Sequence, residues 1–193
     1  MLMLLAHTLL LPAQTTPVSL FAGVAHNASR TGPTAGLDIE RPLGGPAAIR
    51  IGLGYVPRSL NDSAQTCTIA GVCVLDGVNV RTDFLAVTAL VVVTASTPLS
   101  PYVAVGPYLA PRIGCSAVTV GDCSRVDTSD GGVVIEAGAI LKSLAPAVGL
   151  FARYERALSA TLQVPATDAG GSTDLHYQTI SVALRIRLTS FGS

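Results

Sequence analysis

The sequence predicts an all-β protein, an eight-stranded antiparallel up-and-down transmembrane β-barrel, and three observations predict it. Apolar and polar residues alternate with a period of two over most of the chain. The composition is too apolar for an ordinary water-facing surface: 49% of residues are apolar and 12% charged, with a mean hydropathy of +0.54. Yet the longest uncharged apolar stretch inside the chain, residues 84–95, is roughly half of the ~20 residues a membrane-crossing helix needs. A sheet that turns one face to lipid meets all three conditions. The same numbers exclude intrinsic disorder. Twelve basic residues balance twelve acidic ones, so the chain has no electrostatic footprint for nucleic acid.

Taken in order, the chain begins with an address. Residues 1–12, MLMLLAHTLLLP, have the length and apolar character of a signal-peptide core, with the small Ala13 behind them. Residues 1–15 are read as a cleaved signal peptide and 16–193 as one barrel domain. The first strand covers 18–24, and Leu37 and Ile39 flank Asp38 in the second. In the third, Ile49, Ile51, Leu53 and Tyr55 alternate with Arg50, Gly52 and Gly54. Residues 78–93 form the fourth, apolar at both parities beyond Asp83, so its register stays open. Val103, Val105 and Leu109 flank Ala104, Gly106 and Tyr108 in the fifth. In the sixth, Val133, Ile135, Ala137, Ala139 and Leu141 oppose Glu136, Gly138 and Lys142. The seventh sets Val148, Leu150, Ala152 and Tyr154 against Gly149, Arg153 and Glu155. In the last, Ile180, Val182, Leu184, Ile186 and Leu188 alternate with Ser181, Ala183, Arg185 and Arg187, a pattern that only a strand can sort onto two faces.

Short links rich in Gly, Pro and Ser, at 43–47, 95–100 and 143–146, alternate with mostly longer polar ones at 27–34, 58–77, 114–131 and 161–174. A meander then gathers the short turns on one rim and the long loops on the other, with both termini on the short-turn side. Each strand is expected to have about 9 to 11 residues, enough to cross a bilayer at a tilt.

Four segments carry a resemblance to a known family: Phe84-Leu85-Ala86-Val87, Pro101-Tyr102-Val103-Ala104-Val105-Gly106-Pro107-Tyr108-Leu109, Ile135-Glu136-Ala137-Gly138-Ala139 and Phe151-Ala152-Arg153-Tyr154-Glu155. They resemble successive strands of the small outer-membrane β-barrel domain, the OmpA-like and PorT-like group, over roughly residues 17–188. The resemblance implies an outer-membrane location with extracellular loops and periplasmic termini, contact with outer-membrane lipid, and insertion by the barrel-assembly machinery. Barrels of this kind commonly end on an aromatic residue; here the last strand ends Arg187-Leu188, with Phe191 three residues beyond. Five Tyr, four Phe and no Trp are also few for two interfacial girdles.

Four cysteines, Cys67, Cys73, Cys115 and Cys123, fall in two long links of the same rim. An even count in an exported chain reads as disulfides, and of three connectivities proximity favours 67 with 73 and 115 with 123. Neither spacing suits zinc, so no metal is expected.

Assigning the polar parity of each strand to the interior puts Asp38, Glu40, Glu136 and Glu155 inside with Arg50, Arg153, Arg185 and Arg187. A hairpin centred on Gly45 sets Glu40 opposite Arg50, and one centred between Leu144 and Ala145 sets Glu136 opposite Arg153. Eight strands enclose an interior just wide enough for side chains. The lumen is therefore read as plugged by ion pairs, with gating or a narrow ion path as the alternative.

The sequence contains no GxSxG, HExxH, P-loop or dinucleotide-binding turn. No cofactor is expected. Asp122, Asp127 and Asp130 lack calcium-loop spacing and are read as solvated loop charge. His26 and His176 end one strand and begin another that adjoin on closure, with Ser29, Ser172 and Asp174 nearby. A rim His with Ser and an acid is the constellation by which some small outer-membrane barrels act on lipid A as acyl hydrolases or acyltransferases. The preferred reading is two interfacial histidines with no further role. The chain is thus expected to be a non-enzymatic outer-membrane barrel with a structural or interaction role, its loops offering a surface to an extracellular ligand. The alternatives are a rim-active lipid A hydrolase or acyltransferase and a soluble secreted ligand-binding barrel.

Overall fold

The computed structural model describes residues 16–27, 30–67, 73–117, 123, 126–158, 162–165, 172–175 and 177–188; over 60–67, 73–79, 117, 162–165 and 172–175 it describes the backbone alone. The signal-peptide reading of 1–15 lies outside these residues. Ten strands follow in chain order: β1 Val18–Asn27, β2 Arg30–Gly44, β3 Ala47–Cys67, β4 Cys73–Thr94, β5 Leu99–Ala117, β6 Ser129–Leu141, β7 Ala147–Ala157, β8 Leu162–Pro165, β9 Ser172–Leu175 and β10 Gln178–Leu188. Eight of them close an antiparallel barrel in the order β1-β10-β7-β6-β5-β4-β3-β2, while β8 and β9 form a separate two-stranded ribbon. Each barrel strand pairs with the next barrel strand in the chain and the last with the first, so the connectivity is up and down.

Alternation of side chains decides which face each residue takes. Stepping from His26 through its paired neighbours Ile180, Tyr154, Ile135, Val105, Val91, Ile49 and Arg41 returns to the first strand at the level of residue 16, ten residues from residue 26. All seven side chains on that circuit after His26, Tyr154 apart, are exposed on the outer wall. A stagger of ten over eight strands tilts the strands strongly and leaves an interior that side chains fill. The outer wall is a belt of large apolar groups: Leu20, Val24, Ile51, Val103, Ile135 and Leu184 are each about half exposed. That belt gives the high mean hydropathy its place, and it is what lipid requires.

Glu40 pairs with Arg50 and Glu136 with Arg153, the two expected hairpin registers. The first is set by a two-residue turn between Gly44 and Ala47, where Gly44 (φ 108°) and Gly45 (φ 60°) occupy the positive-φ region that glycine enters without a Cβ clash. The strand whose register could not be read, now within β4, points its even residues inward: Phe84, Ala86, Leu90 and Val92 are buried and Val87, Val91 and Val93 exposed. It is apolar on both parities because the lumen beside it is partly apolar.

The long links differ from expectation. The 27–34 link shrinks to residues 28–29 between β1 and β2, and strand pairing in β3 and β4 continues to Cys67 and Cys73. β5 runs to Ala117 and β6 starts at Ser129, while the 161–174 link contains the β8–β9 ribbon. β2 to β5 have 15, 21, 22 and 19 residues, far beyond the 9 to 11 that a bilayer crossing needs. The polar composition of these segments marks where the chain meets water, and the ladder continues beyond that point because the backbone still gains from pairing.

Candidate functional site

The interior holds two stacked ion clusters. In the one nearer the short turns, Glu136, 0% exposed, accepts hydrogen bonds from Arg50 Nη1 (2.6 Å), Arg185 Nη1 (2.8 Å), Arg153 Nε and Nη2 (2.9 and 2.7 Å) and the Tyr102 hydroxyl (2.8 Å). Arg50 also donates to Glu40 from Nε (3.1 Å) and Nη2 (2.7 Å), and Arg187 Nη2 donates to the other Glu40 oxygen (2.7 Å). Arg185 Nε donates to Asp38 Oδ2 (3.0 Å). Asp38 Oδ1 and Thr88 Oγ1 occupy the space where a side chain at residue 52 would stand, which is why that position is glycine.

The second cluster lies toward the long-loop rim. Arg58, 0% exposed, donates to Asp130 and, at 2.8 Å, to Glu155, and the Tyr108 hydroxyl donates to Asp130 (2.7 Å). The Arg58 guanidinium sits 5.0 to 5.4 Å from the ring centres of Phe84, Tyr108 and Tyr177. Arg153, against both Phe21 and Phe151 at 5.3 Å from each ring, reaches Glu155 at 4.0 Å and so joins the two clusters. Five carboxylates (Asp38, Glu40, Asp130, Glu136 and Glu155) thus meet five guanidinium groups (Arg50, Arg58, Arg153, Arg185 and Arg187). Charges this deeply buried are tolerated only because each is paired and hydrogen-bonded.

Asp130 corrects the sequence reading. It is 2% exposed inside the barrel, paired with Arg58, and not a solvated loop charge. Its even parity continues that of Glu136 through the start of β6, just as Arg58 continues that of Arg50 along β3; the loops assigned to 58–77 and 114–131 hid both. Asp127 is exposed in the link before β6, and Asp122 lies outside the described residues. The scarcity of girdle aromatics also has its explanation, because Phe21, Phe84, Tyr102, Tyr108, Phe151 and Tyr177 are all buried inside.

At the long-loop rim, His26 is exposed on the outer wall with Nδ1 2.8 Å from Thr31 Oγ1. Ser29 and His176 lie outside the described residues, and Ser172 and Asp174 are placed on β9 by backbone alone. β9 pairs with β8 and not with the barrel wall. Cys115 and Cys123 form a disulfide with Cα atoms 6.1 Å apart, fastening the end of β5 to the link that follows it. The Cys67 and Cys73 backbones face each other at the tip of the β3–β4 hairpin, and their side chains lie outside the described residues. The described residues include no group of three or more His, Cys, Asp or Glu side chains arranged to hold a metal ion.

A closed eight-stranded meander, apolar outside and ion-paired inside, is the architecture of the small outer-membrane β-barrels. Three solved structures of that class are similar to this chain. The outer membrane protein OprG from Pseudomonas aeruginosa matches with a TM-score of 0.52 and 10% identity, covering 91% of this chain and 97% of its own. Neisserial surface protein A matches at 0.50 and 13% identity, covering 90% and 97%, and a major outer membrane protein from Thermus thermophilus at 0.50 and 12%, covering 91% and 100%. At these identities the likeness is one of fold. No protein-family model matches the sequence, and no curated protein matches it.

Proposed function

We propose that this chain is a non-enzymatic outer-membrane protein whose sealed barrel carries an interaction surface at the long-loop rim, on the outside of the cell. The observation that carries this reading is the filled interior: five ion-paired acids, five arginines and six aromatic rings occupy the lumen over both clusters, which supports a packed core over a passage. On the outside, the β3–β4 ladder continues for twelve pairs past Tyr55, from Val56↔Phe84 to Cys67↔Cys73, so a hairpin stands well clear of the apolar belt. The Cys115–Cys123 disulfide stiffens the neighbouring link. A wall of exposed Leu, Val and Ile argues against a soluble secreted barrel.

The orientation follows from an even strand number with entry from the periplasm. On intact cells, added protease is expected to cut between Cys67 and Cys73 or between Ala117 and Ser129 once disulfides are reduced. An epitope tag after Ser193 is expected to stay hidden until the outer membrane is opened. A tag reached on intact cells would reverse the topology.

A lipid-modifying activity is the second reading, and the His26 ring bears on it: its Nδ1 is engaged by a threonine hydroxyl and not by an acid of the kind that orients a catalytic base. Lipid A from cells expressing the protein is therefore expected to keep all its acyl chains, with or without His26→Ala and His176→Ala. Loss of a chain in the wild type alone, seen by mass spectrometry of lipid A, would establish the acyl hydrolase instead.

A further inference from the structure

On the outer wall, among the described residues, unpaired charge has one sign. Arg41 is exposed toward the short-turn rim, where Lys142 stands in the turn after β6, and Arg81 and Arg156 toward the other. The acidic side chain of this wall, Asp83, is held by Arg30 Nη1 at 3.1 Å and by the Tyr55 hydroxyl at 2.8 Å.

Arg156 belongs to a row. Gln178 on β10 is its partner in register, and Thr31 on β2 is the partner of His26 on β1. His26 in turn pairs with Ile180, two residues along β10 from Gln178. All four side chains are exposed on the outer wall. Each step from β7 to β10 to β1 climbs toward the long-loop rim. His26, two residues short of the position opposite Gln178, therefore stands at about the level of Arg156. The row spans four adjacent strands, about 14 Å at the usual strand spacing. Below it the wall is apolar, with Val24, Leu150, Ile180, Val182 and Leu184 exposed. With Nδ1 bound to Thr31, His26 has Nε2 as its remaining hydrogen-bonding atom.

We propose that Arg156, Gln178, His26 and Thr31 form a binding site for the anionic phosphate headgroup of a lipid in the leaflet that meets the long-loop rim. Arg156 supplies a planar two-pronged donor matched to phosphate oxygens. Gln178 and His26 add hydrogen bonds beside it, and the acyl chains run down the wall over Ile180, Val182 and Val24. The site rests on the outer-membrane reading above.

The test is reconstitution in nanodiscs of phosphatidylcholine carrying lipid A as a minor component, with the lipid retained on the barrel counted by native mass spectrometry. The wild type is expected to retain lipid A. Arg156→Gln combined with His26→Gln should retain about tenfold less, the weight of roughly one charge-assisted hydrogen bond, and Arg156→Lys an intermediate amount. Arg41→Gln with Lys142→Gln, at the opposite rim, should match the wild type. Inorganic phosphate added to the same discs separates the sources: displacement of lipid A assigns the site to phosphate in general, and its persistence to the lipid headgroup. Equal retention by the Arg156/His26 variant, or equal loss in the Arg41/Lys142 variant, would overturn the site. Mobility of unboiled samples on SDS gels reports folding separately, and a folded barrel that does not enter the discs would overturn the membrane reading and the site with it.

Discussion

Glu136→Ala is expected to lower the stability of the barrel by about 3 to 5 kcal/mol, the range for breaking a buried ion pair by removing one partner. Glu136 is fully buried and is the shared acceptor of Arg50, Arg153 and Arg185. Its loss leaves an uncompensated positive charge and the Tyr102 hydroxyl without its acceptor. Hairpin register alone would make Glu136 and Arg153 a private pair, and Arg153→Ala would then be worse than the double variant. The three-arginine arrangement reverses that order. After Arg153→Ala, Glu136 still has two guanidinium partners; after Glu136→Ala, Arg153 is left with Glu155 at 4.0 Å. The double variant restores charge balance while Arg50 keeps Glu40 and Arg185 keeps Asp38. Destabilisation should therefore rank Glu136→Ala above the double variant and the double variant above Arg153→Ala. Urea unfolding in detergent, read by the gel mobility difference between folded and boiled protein, measures the order. Arg153→Ala at the top would show that the network does not share its load through Glu136.

How much of this was legible depends on what the residue pattern encodes. Parity was, wherever one face is apolar and the other carries charge: Arg185 and Arg187, interleaved with Leu184, Ile186 and Leu188, can only face the other way. The two pairs Glu40–Arg50 and Glu136–Arg153 followed from parity plus a short turn. Strand ends were not legible, because polar uncharged residues such as Ser59, Asn61, Ser63, Gln65 and Thr66 suit both a loop and a hairpin standing in water. That one ambiguity removed Arg58 and Asp130 from the interior. The placement of Phe84 and Leu90 was hidden for a different reason: a lumen built of rings around guanidinium groups makes the inward parity of β4 as apolar as the outward one. Headgroup contacts at the rim were invisible for a third reason, since the row of Arg156, Gln178, His26 and Thr31 exists only once the stagger of the closed barrel brings four strands level.

Arg58→Ala is the second substitution expected to act strongly, and it tests whether the lumen has one seal or two. Arg58 is the cation for both Asp130 and Glu155, and its guanidinium is enclosed by Phe84, Tyr108 and Tyr177. Removing it leaves Asp130 buried without a cation and Glu155 with Arg153 alone, at 4.0 Å, again in the range of about 3 to 5 kcal/mol, and empties the space between three rings, which adds a cavity term. Arg58→Met keeps most of the volume and loses the charge, so it should recover the cavity part alone and remain less stable than the wild type. Arg58→Lys keeps the charge without the planar fork that reaches two carboxylates and lies against rings, and it should fall between the wild type and Arg58→Met. The expected effect on permeation is different. The Glu136 cluster lies in series with the Arg58 cluster and contains seven of the ten groups in the two clusters, so opening the upper seal is expected to leave the lower one closed. In planar bilayers the wild type and Arg58→Ala should both lack steady ion currents, whereas Arg58→Ala combined with Arg50→Ala and Arg185→Ala should lose the closed state. A steady current through Arg58→Ala alone would show that the lower cluster does not seal the barrel, and the reading of this protein as a plugged anchor for its rim would give way to that of a gated channel.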